Sequence, residues 1–237
     1  MNIVITGASK GIGYETTKHL AEISGNKIIA ISRNEEKLLE LKNECNKLYP
    51  ESEIIPIVFD LEEIPEKGNE IKEKILQHLP HIDILINNAG LFLGKPFEDS
   101  EEEEIRQVFN INFFGPALFT KLLISNLGSI EPGHVVNIGG MGGYQGSVKF
   151  PGLSFYSASK AAIANLTECL AEEYKEYNIS FNCLAMGAVN TEMLKKAFPG
   201  YIAPVEPDQM GKFIAEFAIS GHKYFNGKVI PVSLSTP

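Results

Sequence analysis

The chain has 237 residues, a formal net charge of −9 and a hydrophobic content of 44%, which is enough for one α/β domain with a sizeable core. The acidic balance argues against nucleic acid or an anionic membrane as a partner, and no apolar run approaches the ~20 residues of a membrane span. The N-terminus enters a strand without a leader pattern, and the scattered Cys45, Cys169 and Cys183 suit a reduced compartment, so we expect a cytoplasmic protein. The histidines show no metal-ligand spacing, so no metal is expected.

The first predicted elements are a strand over residues 2–6, a glycine-rich turn, and a helix over 11–24. The turn contains Gly7, Gly11 and Gly13 in the spacing G-x-x-x-G-x-G. Glycines let backbone N–H groups approach a phosphate closely, and the helix N-terminus then favours its negative charge. A glycine-rich turn alone can be plain turn chemistry. At the opening of a βαβ unit it predicts a dinucleotide site.

The second predicted strand, residues 27–32, ends at Arg33, which lies 20 residues after Gly13. An acidic residue at about that distance holds the ribose 2′-hydroxyl in NAD-binding folds, whereas a guanidinium can bind a 2′-phosphate bidentately. Lys10 in the glycine turn adds a second positive charge. The pattern therefore predicts NADP(H) in preference to NAD(H). The alternative is that Arg33 only ends a strand in solvent.

Strand-like and helix-like segments alternate along the rest of the chain, with short connections. The predicted strands are 2–6, 27–32, 54–59, 82–87, 134–138, 179–184 and 228–232, and the predicted helices are 11–24, 35–49, 66–78, 100–127, 157–177 and 208–220. This alternation predicts an α/β fold, a doubly wound, Rossmann-type parallel sheet of about seven strands with helices on both faces. Ser100 and Glu103 are expected to form a capping box. Residues 1–237 are expected to form a single dinucleotide-binding and catalytic domain.

Polar or small residues follow several predicted strands. They are Asp60-Leu61, Asn87 to Gly90, Gly139-Gly140, and Ala185 to Gly187 followed by Thr191. Because ligands bind beyond the carboxyl ends of the strands in such sheets, these segments are expected to converge on one crevice.

Tyr156 and Lys160 are four residues apart in a predicted helix, so they lie on the same face. An ammonium beside a phenol favours the phenolate and lowers its pKa, which makes the two side chains a candidate proton-transfer pair. The same spacing also occurs on solvated helix faces.

Together these motifs resemble the short-chain dehydrogenase/reductase family over essentially the whole chain. The resemblance rests on the Thr6–Gly13 turn, Asp60, Asn87 to Gly90, Asn112, and Tyr156 with Lys160. It implies hydride transfer between a nicotinamide and a small carbonyl or alcohol substrate. Tyr156 would exchange the proton with the substrate oxygen, and Lys160 would hold the ribose hydroxyls and lower the Tyr156 pKa. Asn112 would kink its helix and hold a water that links Lys160 to solvent.

The resemblance also implies the residues that bind NADP(H). Asp60 would accept a bond from the adenine amino group, and Thr191 would touch the carboxamide or a phosphate. The full expected set is Gly7, Ser9, Lys10, Ile12, Gly13, Arg33, Asp60, Leu61, Asn88, Ala89, Gly90, Tyr156, Lys160 and Thr191.

The chain departs from the family pattern at Gly140, where a catalytic serine is expected. Loss of a hydroxyl that bonds the oxyanion can lower the rate by about 10²–10³. Ser147, Ser154 or a water could replace it, in a Tyr144–Phe155 loop that is expected to carry a small insertion. A second departure is Met186-Gly187 in place of Pro-Gly.

Two functions are therefore open, an NADP(H)-dependent oxidoreductase with a weakened or relocated oxyanion donor, and a catalytically impaired NADP(H)-binding sensor or scaffold. A serine hydroxyl within reach of Tyr156 would favour the enzyme, and a crevice blocked by the Tyr144–Phe155 loop would favour the scaffold. Apolar walls and a lid are expected from Phe92, Leu93, Tyr144, Phe150, Phe155, Met186, Met193, Leu194, Phe198, Tyr201 and Ile202. The resemblance implies a homodimer or homotetramer through helices 100–127 and 157–177.

Overall fold

The computed structural model describes residues 1–128 and 130–234. The last residues of the predicted domain, 235–237, lie outside this range. The seven strands are β1 (Asn2–Thr6), β2 (Lys27–Ser32), β3 (Glu53–Val58), β4 (Ile84–Asn87), β5 (Gly133–Ile138), β6 (Ile179–Met186) and β7 (Lys228–Val232). The α-helices are α1 (Gly11–Ala21), α2 (Glu35–Leu48), α3 (Ile64–His78), α4 (Glu102–Phe109), α5 (Gly115–Leu123), α6 (Ser154–Glu173), α7 (Glu192–Ala197) and α8 (Pro207–Ser220).

The strands form one parallel sheet in the order β3-β2-β1-β4-β5-β6-β7. The central strands are buried on both faces, because helices cover both sides of the sheet. One apolar cluster packs Leu20, Leu38 and Ile214 beneath α1, α2 and α8. The other packs Ile71, Phe119 and Phe181 beneath α3 and α5. The predicted doubly wound fold is confirmed.

The predicted helix over 100–127 is divided into four segments. A π-helical turn, Asn110–Phe114, separates α4 from α5, and the helix then ends in a 3₁₀ turn, Ile124–Asn126. The capping box forms one residue later than expected, with the Glu101 N–H donating to Glu104 Oε2 at 3.1 Å. Ser100 instead donates its hydroxyl to the Pro96 carbonyl.

The helical stretch Glu102–Asn126 is long and apolar enough, by length and composition alone, to cross a membrane. This corrects the expectation that no such run exists, because the apolar residues of α4 and α5 join into one continuous helix. A core helix meets the same criterion, and this stretch packs against α3 and α6. One such helix is therefore weak ground for a membrane span.

A buried histidine links the amino end of β5 to α8. His134, fully buried on β5, has Nδ1 2.8 Å from the Ala218 carbonyl and Nε2 3.0 Å from the Asn182 amide nitrogen. Burial lowers the pKa of His134 to about 4, with His222 acting in the same direction. The ring is therefore neutral at neutral pH, donating from Nδ1 and accepting at Nε2.

Candidate active site

A cleft of about 550 Å³ opens at the carboxyl ends of β1, β2, β4, β5 and β6. It lies where the strand order reverses between β1 and β4, the usual ligand position in such sheets. All fourteen residues expected to bind the cofactor line this cleft, from Gly7 and Arg33 at one end to Tyr156 and Lys160 at the other. The structure thus brings the expected set together, and the role of each residue stays a prediction.

The glycine turn requires its glycines. Gly7 has a φ of +70°, and a Cβ placed on it would lie 2.8 Å from the Ala89 Cα. A Cβ on Gly13 would lie 2.3 Å from both the Gly7 carbonyl oxygen and the Asn88 amide nitrogen. The turn is therefore packed directly onto the segment after β4, and α1 begins there with backbone N–H groups directed at the cleft end. Such a cradle fits a pyrophosphate.

Side chains at the β1 and β4 ends fix this arrangement. The Thr6 hydroxyl accepts from the backbone N–H groups of Asn88 and Ala89, both at 3.1 Å. The Asn88 amide donates back to the carbonyls of Thr6 and Gly7. Asn88 therefore shapes the cleft through its contacts with the backbone. The prediction that it lies beside the ribose did not include this role.

The two expected phosphate-binding cations already have acidic neighbours. Arg33 Nη1 lies 3.4 Å from Asp60 Oδ2, and Lys10 Nζ lies 3.2 Å from Glu192 Oε2 at the start of α7. Both cations are mostly exposed, so these ion pairs are weak and can open for a phosphate. Glu192 was missed at the sequence level, since nothing in the chain places α7 beside the glycine turn.

Tyr156 and Lys160 lie beside Gly140, as the family resemblance implies. A Cβ placed on Gly140 would lie 3.7 Å from Tyr156 Oη and 3.6 Å from Lys160 Cγ, which are ordinary contact distances. The backbone of Gly140 is extended, with a φ of −163°. A serine there would fit without strain and bring its hydroxyl within reach of Tyr156 Oη. Gly140 therefore occupies the position of a possible donor beside the phenol.

The expected lowering of the Tyr156 pKa by Lys160 is not produced by the described residues alone. Burial raises the pKa of Tyr156 to about 12. Burial lowers the pKa of Lys160 to about 8, with Cys183 acting in the opposite direction. Desolvation dominates because Lys160 Nζ donates to the Ile138 carbonyl at 2.9 Å and no bond from it to Tyr156 forms.

Asn112 lies in the π-helical turn, which agrees with the expected distortion of its helix. The side chain is buried and does not line the cleft. Its oxygen accepts from the Leu91 N–H, and its nitrogen donates to the Leu91 carbonyl and the Ser159 hydroxyl. A Cβ on Gly90 would lie 3.5 Å from both Asn112 Oδ1 and Lys160 Nζ, so the two side chains approach each other there.

Neither serine proposed as a replacement for the missing hydroxyl lines the cleft. Ser147 donates to the carbonyls of Met141 and Tyr144 within its own loop, and Ser154 is exposed at the start of α6. The cleft is also not closed by the Tyr144–Phe155 loop, because its lining runs continuously from the glycine turn to Phe198. The two expected discriminators between enzyme and scaffold therefore point in opposite directions.

The end of the cleft beside Tyr156 is apolar. The Phe92 ring packs 5.3 Å from the Tyr156 ring, and Phe150 packs edge-on against Phe198 at 5.8 Å. Of the expected walls and lid, Phe92, Phe150, Met186, Met193, Leu194 and Phe198 line the cleft, whereas Leu93, Tyr144, Phe155, Tyr201 and Ile202 do not. Phe155 stacks on Phe97 instead, at 5.2 Å. Leu153 and Met141 were missed because no periodicity marks loop residues.

Within residues 1–128 and 130–234, no group of three or more His, Cys, Asp or Glu side chains is placed to hold a metal ion. The side chains and backbone groups in the cleft instead suit a dinucleotide, with a glycine cradle, cations at one end and a phenol at the other. Together, the fold and the site assign the protein to the class of α/β oxidoreductases that bind a nucleotide.

The comparisons with known proteins identify the family. The short chain dehydrogenase family model matches residues 1–201, so the chain belongs to that family. It is 33% identical over 202 residues to the dehydrogenase/reductase SDR family member 7B of Xenopus laevis, covering 84% of this chain but 61% of that relative. It is 32% identical to carbonyl reductase [NADPH] 2 of Sus scrofa over 196 residues, covering 81% and 73% of the two chains.

The fold has a close structural counterpart. A short chain dehydrogenase from Burkholderia cenocepacia J2315, solved in complex with NADP, superposes with a TM-score of 0.85 at 23% identity, covering 98% of this chain and 95% of that one. The chain therefore shares the whole fold of that protein, whereas it spans only about three fifths of the length of the SDR family member 7B relative.

Proposed function

We propose that the protein is an NADP(H)-dependent oxidoreductase that reduces a small, uncharged carbonyl compound, with Tyr156 as the proton donor. The observation that carries this proposal is the continuous cleft that joins the glycine turn to Tyr156 and Lys160. Membership of the short chain dehydrogenase family and the carbonyl reductase among its relatives support the same chemistry.

The bound cofactor would supply the hydride. The residues of the chain would bind the cofactor, orient the substrate and protonate its oxygen. The glycine turn would hold the pyrophosphate, Arg33 and Lys10 a 2′-phosphate, and Asp60 the adenine. Lys160 would hold the ribose hydroxyls. The reason to prefer NADP(H) is that Arg33 follows β2 in place of the acidic residue of NAD-binding folds, and its exposed ion pair with Asp60 can open for a 2′-phosphate.

The protonation state of Tyr156 fits the role of a proton donor. Burial raises the pKa of Tyr156 to about 12, so the phenol keeps its proton at neutral pH. The protonated phenol is the form that donates to a carbonyl oxygen, and the same residue takes the proton back in the reverse reaction. The apolar walls around it, with Phe92 and Met186, suit an uncharged substrate and exclude water from the reacting oxygen.

Oxidation of NADPH against a panel of aldehydes and ketones tests the proposal. We expect Tyr156→Phe to lower kcat by about 10²–10⁴ because the proton donor is lost, while binding of NADPH, followed by its fluorescence, stays within twofold of natural. Tyr177→Phe on the exposed surface is the matched control. A Tyr156→Phe variant that turns over at the natural rate would show that another group donates the proton.

A second candidate, a sensor or scaffold that binds NADP(H) without turnover, is favoured by Gly140, since no serine or threonine among the described residues of the cleft lining lies beside Tyr156. Gly140→Ser separates the two. If only this variant reduces carbonyl compounds while the natural chain binds NADPH, the sensor is the function. If the natural chain itself reduces carbonyl compounds, the oxidoreductase is the function.

We also propose that the protein works in the cytoplasm as a homodimer or homotetramer. A shallow groove on α4 and the π-helical turn is lined by Ile105, Phe109 and Phe114 together with Glu102, Arg106 and Asn110, and Phe114 is half exposed. An exposed phenylalanine beside other apolar side chains suits a subunit contact. Light scattering of the natural chain and of Phe114→Glu tests the oligomeric state. A natural chain with the mass of a monomer would contradict the proposal, and so would an oligomer whose mass is unchanged in Phe114→Glu.

A further inference from the structure

Among the residues that the structure describes, Tyr156 is the side-chain donor of the cleft lining that the proposed function assigns to the reacting oxygen, and a second donor would stabilise that oxygen further. Negative charge that develops on a carbonyl oxygen during reduction is stabilised by each donor directed at it. Tyr156 supplies one such donor. Lys160, the other polar side chain nearby, has its ammonium on the Ile138 carbonyl.

The hydroxyl groups that line the cleft belong to its opposite end. Thr6 holds the segment after β4, and Ser9 and Ser32 bond to each other at 2.7 Å. Thr191 caps α7 and lies against Gly11 of the glycine turn. Among the described residues, no serine or threonine side chain of the lining accompanies Tyr156. The second donor must therefore come from the substrate, the backbone or solvent.

Gly140 lines the cleft and has no side chain to fill the space beside it, and the fold does not require a glycine there. An extended backbone at Gly140 is available to any residue, and the nearest heavy atom to a Cβ placed there lies at 3.6 Å. This contrasts with Gly139 and Gly143 on either side, where a Cβ would lie 2.7 Å or less from its neighbours. Packing thus explains the glycines at those two positions, and it does not explain Gly140.

Water is a poor occupant of this space. Outside residues 139–141, the three heavy atoms nearest to the Cβ position are Tyr156 Oη and two aliphatic carbons of Lys160. An ordered water usually has about three polar partners. Phe92, Leu153 and Met186 make the adjoining walls of the cleft apolar. A small polar group that is covalently attached to a bound substrate needs no such partners to stay in place.

We propose that the substrate carries a hydroxyl group on the carbon next to its carbonyl, and that this hydroxyl occupies the space beside Gly140 and donates the second hydrogen bond. The inference rests on the proposed function. In the reaction the C=O π bond breaks, the carbon gains the hydride of the reduced nicotinamide and the oxygen gains the Tyr156 proton. The neighbouring hydroxyl keeps its own proton, so the product is a vicinal diol.

The test compares two ketones that differ only in this group. 2-Hydroxyacetophenone and propiophenone carry a hydroxyl or a methyl at the same position, and hydroxyacetone and butanone form a second, aliphatic pair. The kcat/KM ratio within each pair is measured for the natural chain, Gly140→Ser and Gly140→Ala. Because the intrinsic reactivity of each ketone is the same in all three chains, changes in the ratio report on position 140 alone.

We expect the natural chain to prefer the hydroxy ketone by about 10–100-fold more than Gly140→Ser does. This lies at or below the usual effect of about 10²–10³ for an oxyanion donor, because the hydroxyl reaches its own carbonyl oxygen through a bent hydrogen bond. Gly140→Ala fills the space with a methyl group, so it should lose the preference without improving on the plain ketone.

Binding of the products gives a readout that is independent of turnover. With NADP⁺ present, calorimetry should show 1-phenylethane-1,2-diol binding the natural chain more tightly than 1-phenylpropan-1-ol, and this difference should shrink in Gly140→Ala. Equal kcat/KM ratios in all three chains would overturn the inference while leaving the oxidoreductase intact, and would assign the second donor to backbone or water. NADPH binding with no turnover of any ketone by any of the three chains would overturn the proposed function as well.

Discussion

The two ends of the cleft are built in different ways. At the glycine-turn end, Gly7 and Gly13 lie so close to Ala89 and Asn88 that no side chain fits between them. At the Tyr156 end, Gly140 has ordinary clearance, and the walls come from a loop and a lid that meet through Phe150 and Phe198. The first end is fixed by backbone packing, and the second is set by exchangeable side chains. Binding of the cofactor and choice of substrate should therefore respond to mutation separately.

The largest effect is expected from a methyl group at the glycine turn. Gly13→Ala places a Cβ 2.3 Å from the Gly7 carbonyl and the Asn88 amide, so the turn must move and the phosphate cradle is lost. We expect NADPH affinity to fall by at least about 100-fold and the free energy of unfolding by about 1–3 kcal/mol, the usual effect of overpacking.

Gly140→Ala is the matched control for this change, since a Cβ there meets nothing closer than 3.6 Å. In a fluorescence titration, Gly140→Ala should bind NADPH with the same affinity as the natural chain. Equal losses of affinity in both variants would erase the distinction between the two ends.

Acid is expected to destabilise the fold first through His134, which is buried at the amino end of β5 and away from both ends of the cleft. The pKa of His134 is about 4 in the folded chain, against an ordinary value of 6.5. The unfolded chain therefore binds more protons, and stability is lost as the pH falls from about 6.5 to about 4, by up to about 3 kcal/mol. His222, whose pKa is also lowered by burial, adds to the same trend.

Urea unfolding at a series of pH values checks this, with His134→Gln and the exposed His78→Gln compared. We expect His134→Gln to flatten the acid limb and His78→Gln to leave it unchanged. An unaltered acid limb in His134→Gln would assign the loss of stability to other groups.

At the polar end, Arg33→Gln should weaken NADPH binding by about 10–100-fold while changing NADH binding little, because a hydrogen bond to a charged group contributes about 1.5–3 kcal/mol. Lys67→Gln, on an exposed face of α3 and away from both the cleft and the proposed subunit contact, is the control. If the two cofactors lose affinity equally, Arg33 does not contact a 2′-phosphate.

The smallest effect is expected at the lid. Phe198→Ala removes the edge-on contact with Phe150, and an aromatic pair contributes about 0.5–1.5 kcal/mol beyond its buried area. We expect the KM of an aromatic ketone to rise by about 3–10-fold with NADPH affinity unchanged. Ile202→Ala, an exposed position shortly after the lid helix, should change neither.

The same contrast explains what the sequence could predict. The fold, the strand ends and the expected cofactor residues in the cleft follow from periodicity and glycine spacing, which are local properties. Burial of His134, the ion pair between Lys10 and Glu192, and the inward turn of Ser147 depend on contacts between distant segments, so no local pattern signals them. The π-helical turn at Asn110–Phe114 was missed as an element because its sequence is as apolar as the helices around it.

The clearance at Gly140 also has an evolutionary consequence. An extended backbone and ordinary contact distances mean that serine and glycine are structurally interchangeable there. Glycine and serine codons can differ by a single base. A lineage that carries this chain can therefore exchange a hydrogen-bond donor for an open space, or reverse the exchange, without compensating changes elsewhere in the fold.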